Sequence, residues 1–149
     1  MMKRASAHPR GFTLLELLVV GMLGTILIMF SANALKWYSR SVQAAEIANQ
    51  LTRELKLAAE AIAQDYGDAL SAQTADGITL QLDRSDVDLE YVVQANQLIR
   101  RNVDTAAELP IAAHIKELSA ETVDGKLQVH LTAAIRNTEQ TVTLQLEGS

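Results

Sequence analysis

Several residue types are missing or scarce in this chain of 149 residues. There is no cysteine, so disulfide bonds and thiol chemistry are excluded. The only two prolines are Pro9 and Pro110, so no proline interrupts residues 10–109 and a very long helix is permitted there. Aromatic residues make up 4% of the chain and the net charge is −5, which does not favour a nucleic-acid-binding protein.

Residues that would indicate catalysis are also scarce. The histidines His8, His114 and His130 lie far apart along the chain, without a metal-ligand spacing. We recognise no serine–histidine–aspartate or cysteine–histidine grouping, phosphate-binding loop or paired-carboxylate cleft. We therefore expect no enzymatic activity, metal or cofactor.

A long apolar segment dominates the N-terminal quarter. From Phe12 to Leu35 the only charged residue is Glu16. These 24 residues would form a helix of roughly 36 Å, enough for a hydrocarbon core of about 30 Å. The run is too long for a secretory signal peptide, whose apolar core spans about 7–15 residues. A membrane-spanning helix is therefore predicted.

Glu16 is unusual because a charge at the centre of a membrane helix costs roughly 2.5–3.5 kcal/mol, and less near an end. Another group must offset this cost, which makes Glu16 a candidate functional residue. Simpler explanations are that Glu16 pairs with an amine of its own chain or extends to the membrane interface.

Residues 11–20, Gly-Phe-Thr-Leu-Leu-Glu-Leu-Leu-Val-Val, closely resemble the N-terminal signature of type IV prepilins and type II secretion pseudopilins. The resemblance implies a basic leader (Lys3, Arg4 and Arg10) that is cut after Gly11. It also implies an N-methylated new terminus at Phe12. A side chain would obstruct a peptidase that binds the extended bond before Phe12, and Gly11 has none.

The same resemblance implies an assembly role for Glu16. Its carboxylate would pair with the charged amine of Phe12 on a neighbouring subunit when helices stack in a filament. Such a pair would mainly fix the register of neighbouring subunits, because a misplaced subunit would leave both charges buried and unpaired. The implied partners are a prepilin peptidase and N-methyltransferase, other pilin or pseudopilin subunits, and inner-membrane lipid.

Beyond the apolar segment, apolar residues continue at spacings of three and four along one helical stripe. The stripe consists of Ala44, Ile47, Ala48, Leu51, Leu55, Ala58, Ile62 and Tyr66. One helix from about Phe12 to about Tyr66 is predicted, ending near Gly67. The alternative is two helices with a break near residues 33–41.

From residue 77 onward the apolar period changes to two, which predicts strands. The predicted segments contain Ile78, Leu80 and Leu82; then Tyr91 and Val93; then Leu98 and Val103; then Leu127, Val129, Leu131, Ala133 and Ile135; and last Val142, Leu144 and Leu146. Turns are expected at Ala95-Asn96, at Asp124-Gly125 and over residues 136–140. Pro110 is expected to end a loop between two groups of strands.

The predicted fold class is α+β and pilin-like, with a long N-terminal helix packed on an antiparallel sheet. We expect a cleaved leader at 1–11, a transmembrane or filament-core helix at 12–35, its amphipathic continuation at 36–70 and an exported β-sheet domain at 71–149. The resemblance to prepilins implies a single-pass protein in a bacterial inner membrane, with its C-terminal domain in the periplasm.

Residues 91–101 resemble a hairpin found in minor subunits, namely the J subunit of type II secretion and the W type of minor pilin. The resemblance favours a minor subunit near a filament tip. An uncleaved membrane-anchored binding domain and a DNA-uptake pilin remain alternatives. Only Arg100 and Arg101 cluster as cations, so nucleic acid is not an expected partner. The carboxylates of Asp83, Asp86, Asp88 and Glu90 are a weak candidate for calcium, since their spacing is not that of an EF-hand.

Overall fold

The computed structural model describes residues 13–74 and 76–147. Within them, one helix precedes eight strands. The helix is α1 (Leu14–Gly67), and the strands are β1 (Ala69–Thr74), β2 (Leu80–Arg84), β3 (Asp88–Gln94), β4 (Gln97–Asn102), β5 (Glu108–Ala113), β6 (Ile115–Val123), β7 (Lys126–Ile135) and β8 (Thr138–Leu146).

The helix α1 is 54 residues long and has no break at residues 33–41. The prediction of one long helix is therefore confirmed, and the two-helix alternative is wrong. The helix is continuous because residues 10–109 contain no proline and good helix formers dominate the second half of α1. The chain divides into two compact units after Gln43, so α1 supplies residues to both.

In the second unit, one face of α1 is buried. Leu51, Leu55, Ala58 and Ile62 are at most 5% exposed, as the helical stripe predicted, whereas Ala44 at its start is exposed. The face packs with apolar side chains from the strands in one core. The largest buried strand residues are Tyr91, Leu80, Leu82, Leu98, Ile115, Leu118, Leu131 and Val129.

The strands form two antiparallel sheets, where a single sheet was expected. One has the order β1-β2-β3-β4-β5 and the other β6-β7-β8. The chain passes between them at His114, whose φ of 61° lies in the left-handed region. An α+β fold with a long apolar N-terminal helix packed on antiparallel sheets is thus confirmed.

Two predicted hairpin turns are confirmed. Ala95 and Asn96 have φ values of 50° and 59°, and Asp124 and Gly125 have 53° and 78°. Positive φ at both central residues is what a type I′ turn requires, and this turn matches the twist of the flanking strands. The third turn was predicted too long, because β8 already begins at Thr138.

Other strand predictions were wrong. Ile78 lies before β2 and is 58% exposed, and Val103 lies after β4 and is 51% exposed. β1 was missed because its burial does not alternate regularly. Pro110 lies inside β5 and not at the end of a loop. Its missing N–H is tolerated because β5 is an edge strand and because its pairing with β4 shifts register at Leu98 and Ile99.

The buried face of α1 should dominate the stability of the second unit. We expect Leu51→Ala to lower the free energy of unfolding by about 3 kcal/mol, because it leaves a cavity in the core. Leu57→Ala, at a position 45% exposed on the same helix, is the matched control and should change it by less than about 0.5 kcal/mol. Amide hydrogen exchange of the full chain in detergent measures both. Equal losses would contradict the assigned packing.

Candidate functional site

The N-terminal end of α1 is built by a reciprocal pair of side chains. Thr13 precedes the helix, and its Oγ1 accepts a hydrogen bond from the Glu16 backbone N–H at 3.3 Å. In return, Glu16 Oε2 accepts from the Thr13 backbone N–H and from Thr13 Oγ1, both at 3.1 Å. This is a capping box, which satisfies two N–H groups that a helix start leaves without partners.

The capping box gives Glu16 a role within its own chain that the sequence interpretation missed. The Thr-x-x-Glu spacing before an apolar run was a signal for it. The carboxylate also lies at the positive end of the helix dipole, which lowers the cost of a charge in this segment. Both side chains are exposed, so Glu16 is accessible to a second partner.

The other residues of the N-terminal signature, Lys3, Arg4, Arg10, Gly11 and Phe12, lie outside the described residues. The cleavage site, the methylated terminus and the pairing of Glu16 with Phe12 therefore stay predictions.

The first unit presents a continuous apolar surface. Every large apolar side chain from Leu14 to Leu35 is at least 46% exposed. By length and composition α1 could cross a membrane, and it is the only such helix in the described ranges. This is compatible with the predicted single-pass anchor.

Polar side chains inside the apolar segment bond to their own helix. Thr25 Oγ1 donates to the carbonyl oxygen of Gly21 at 2.8 Å, and Ser31 Oγ donates to that of Leu27 at 2.8 Å. These bonds satisfy the hydroxyl donors without water. Glu16 therefore remains the polar group whose charge most needs a partner in an apolar environment.

In the second unit, a buried carboxylate is the centre of an ionic cluster near the C-terminal end of α1. Asp65 is 6% exposed. Its carboxylate accepts hydrogen bonds from Tyr91 Oη at 2.6 Å, Arg100 Nη2 at 2.8 Å and Arg84 Nη1 at 3.3 Å. Arg100 Nε is also 2.6 Å from Oδ2, but its N–H is not aligned for a hydrogen bond. The cluster links α1 to β2, β3 and β4.

The chemistry of this cluster is structural. Burial, and then the hydrogen bond to Asp65, raise the pKa of the Tyr91 phenol, so Tyr91 stays a neutral donor. Two arginines share one buried carboxylate, and Arg84 also approaches Asp68 and Asp86 at 3.5 and 3.4 Å. Sequence reasoning did not consider Asp65, because a carboxylate between the stripe residues Ile62 and Tyr66 gives no local signal of its distant arginine partners.

Arg101, the second arginine of the pair noted in the sequence, also faces carboxylates. Its Nη1 lies 3.0 Å from Glu90 and its Nη2 lies 2.6 Å from Glu108. Both carboxylates raise the pKa of the Arg101 guanidinium, Glu108 more strongly. Arg100 and Arg101 are therefore ion-paired and do not form a separate cationic patch.

The four carboxylates considered for calcium do not converge. Asp86 and Glu90 pair with Arg84 and Arg101. Asp83 and Asp88 face each other across β2 and β3, and partial desolvation and the neighbouring Asp83 raise the pKa of Asp88. In the part of the chain that the structure describes, no group of three or more acidic or histidine residues could hold a metal ion.

No protein-family model matches this chain, and no curated protein or solved structure is significantly similar to it. A functional proposal therefore depends on the residues and on their arrangement.

Asp65 should be essential for the stability of the second unit. Asp65→Asn leaves Arg100 partly buried without its countercharge and leaves Arg84 with only the exposed carboxylates of Asp68 and Asp86. We therefore expect a loss of about 3 kcal/mol in unfolding free energy. Asp68→Asn removes a 62% exposed carboxylate that also contacts Arg84 and should cost less than about 0.5 kcal/mol. Hydrogen exchange protection of β3 and β4 measures the difference. A stable Asp65→Asn variant would show that the cluster is dispensable.

Proposed function

We propose that this protein is a minor pilin-like subunit, or pseudopilin, of a type II secretion pseudopilus or type IV pilus. A prepilin peptidase would process it, and it would then assemble near the filament tip. The observation that carries the proposal is the signature at residues 11–20, whose residues 14–20 form the start of an exposed apolar helix.

The exposed apolar surface supports a function in assembly. From Leu14 to Leu35, α1 has about six turns of apolar side chains, and water is a poor solvent for all of them. Lipid covers such a surface while the subunit waits in the inner membrane. In a filament, the equivalent helices of neighbouring subunits would cover it. The same side chains can serve both states because neither environment requires directional contacts.

Glu16 would distinguish the correct filament position from other apolar contacts. Among the described residues, its capping bonds use one carboxylate oxygen, Oε2, and leave Oε1 available for a partner. A neighbouring subunit's amine would then meet a carboxylate that is already oriented by Thr13. The capping box and the intermolecular pair are therefore compatible with each other.

The two alternatives have different support. A single-pass anchored binding domain requires the same helix but leaves the cleavage signature unused, so an uncleaved N-terminus would favour it. A DNA-uptake pilin requires cations for phosphate contacts. Arg100 and Arg101 are both engaged by carboxylates, so they give that alternative no support.

The decisive experiment is intact mass measurement and N-terminal sequencing of the protein extracted from its native membrane. We expect a chain that begins at N-methylated Phe12. A chain that retains Lys3, Arg4 and Arg10 would overturn the proposal in favour of the anchored binding domain.

Cleavage should depend on the absence of a side chain at Gly11. We expect Gly11→Val to block removal of the leader, since the side chain would clash in a peptidase site that binds the extended bond. Gly21→Val is the control, because a Cβ added at Gly21 meets no atom of the described residues within 4 Å. Mass spectrometry after co-expression with a prepilin peptidase measures both. Normal cleavage of the Gly11 variant would refute the assigned site.

The charge of Glu16 and its capping role can be separated by substitution. Glu16→Val removes both, whereas Glu16→Gln keeps an oxygen for the cap and removes only the charge. Thr13→Ala removes the threonine half of the cap and keeps the charge. We expect both Glu16 variants to be cleaved and membrane-inserted. They should enter filaments about tenfold less than the wild type, because the amine of Phe12 on the neighbouring subunit would be buried without a countercharge. Thr13→Ala should assemble normally.

To measure incorporation, filaments are sheared off and the subunit is quantified in the assembled fraction. Normal incorporation of Glu16→Gln together with failure of Thr13→Ala would assign Glu16 to capping alone.

A further inference from the structure

Four residues with a distinctive combination of properties follow the apolar segment of α1. Trp37 and Tyr38 are 73% and 64% exposed, and Lys36 and Arg40 are exposed beside them. At 100° per residue, the four side chains extend over roughly 200° of the helix circumference. We call these four residues the aromatic–basic belt.

The distance along α1 from Glu16 to the belt matches the thickness of the hydrocarbon core of a membrane. Trp37 lies 21 positions after Glu16, which corresponds to roughly 32 Å of helix, close to the hydrocarbon thickness of about 30 Å. Tryptophan and tyrosine are enriched at membrane interfaces because their rings are apolar and their N–H and O–H groups need polar partners.

The two cations of the belt lack an intramolecular partner among the described residues. Lys36 and Arg40 are one turn apart on the same face, where like charges repel. The nearest carboxylate in sequence, Glu46, is six residues beyond Arg40, which places it about 9 Å along the axis and on another face. A negatively charged group from outside the chain would remove this repulsion.

We propose that the aromatic–basic belt binds the headgroup layer of an anionic bilayer on the exported side, with lipid phosphates bridging Lys36 and Arg40. The inference rests on the membrane-anchored stage of the proposed function and adds the lipid class and the depth of the helix. This contact would give the membrane-anchored subunit a defined depth before assembly, because the aromatic rings and the lipid phosphates fix one end of the membrane-spanning segment.

Trp37 is the only tryptophan of the chain, so its fluorescence reports on the belt alone. We suggest reconstituting the full chain in phosphatidylcholine vesicles that contain brominated phosphatidylglycerol or brominated phosphatidylcholine. Bromine quenches only at short range, so the ratio of the two quenching efficiencies gives the lipid preference at Trp37. Bromines near the headgroup should quench more strongly than bromines deep in the acyl chains.

We expect phosphatidylglycerol to be preferred at least about fivefold, given the usual attraction of a basic residue near an anionic surface. The preference should fall to about one in the double variant Lys36→Gln with Arg40→Gln, and in about 1 M salt, where screening is strong. The matched control is Arg53→Gln with Lys56→Gln, which removes two cations from the second half of α1 and should keep the preference.

Two results would overturn the inference. Equal quenching by both lipids would exclude recognition of anionic headgroups. No quenching of Trp37 in a protein that is inserted would place the belt in water or against another subunit. Neither result bears on the cleavage and methylation of Phe12, which test the proposed function separately.

Discussion

The constraint on which the structure depends is that one uninterrupted helix, α1, carries both an exposed apolar segment and the buried stripe of the second unit. A spanning segment must satisfy its backbone hydrogen bonds internally, because lipid offers none, and an uninterrupted helix does this. The same helix then needs an apolar stripe for the core of the second unit. The absence of proline from residues 10–109 allows both, and the composition changes from apolar on all sides to amphipathic along one continuous backbone.

The end of α1 is held by a different kind of interaction. Leu51, Leu55, Ala58 and Ile62 supply apolar contacts, which are non-directional and do not define a unique register. Asp65 adds directional bonds to Tyr91, Arg84 and Arg100, which lie on three successive strands. A buried carboxylate is costly unless every partner is in place, so this cluster specifies how the helix meets the larger sheet.

The residues on which the two proposals rest belong to the first unit and not to that core. Glu16 and the aromatic–basic belt mark the two ends of an exposed apolar segment, and the proposed function gives each end a partner outside the chain. With another subunit and lipid as the proposed partners, the arrangement would work through position and charge rather than through a cavity. A small folded unit attached to such a segment is compatible with a subunit that acts by assembly.

The sequence by itself determined the features that depend on local periodicity and turn chemistry. These are the long helix, the stripe from Leu51 to Ile62, the strands with period two and the hairpins at Ala95-Asn96 and Asp124-Gly125. Only the tertiary structure decided the division into two sheets at His114, the place of Pro110 in an edge strand and the burial of Asp65. These features depend on contacts between residues far apart in the chain. A carboxylate on a helix has the same local pattern whether it faces water or two distant arginines, and only packing distinguishes the two.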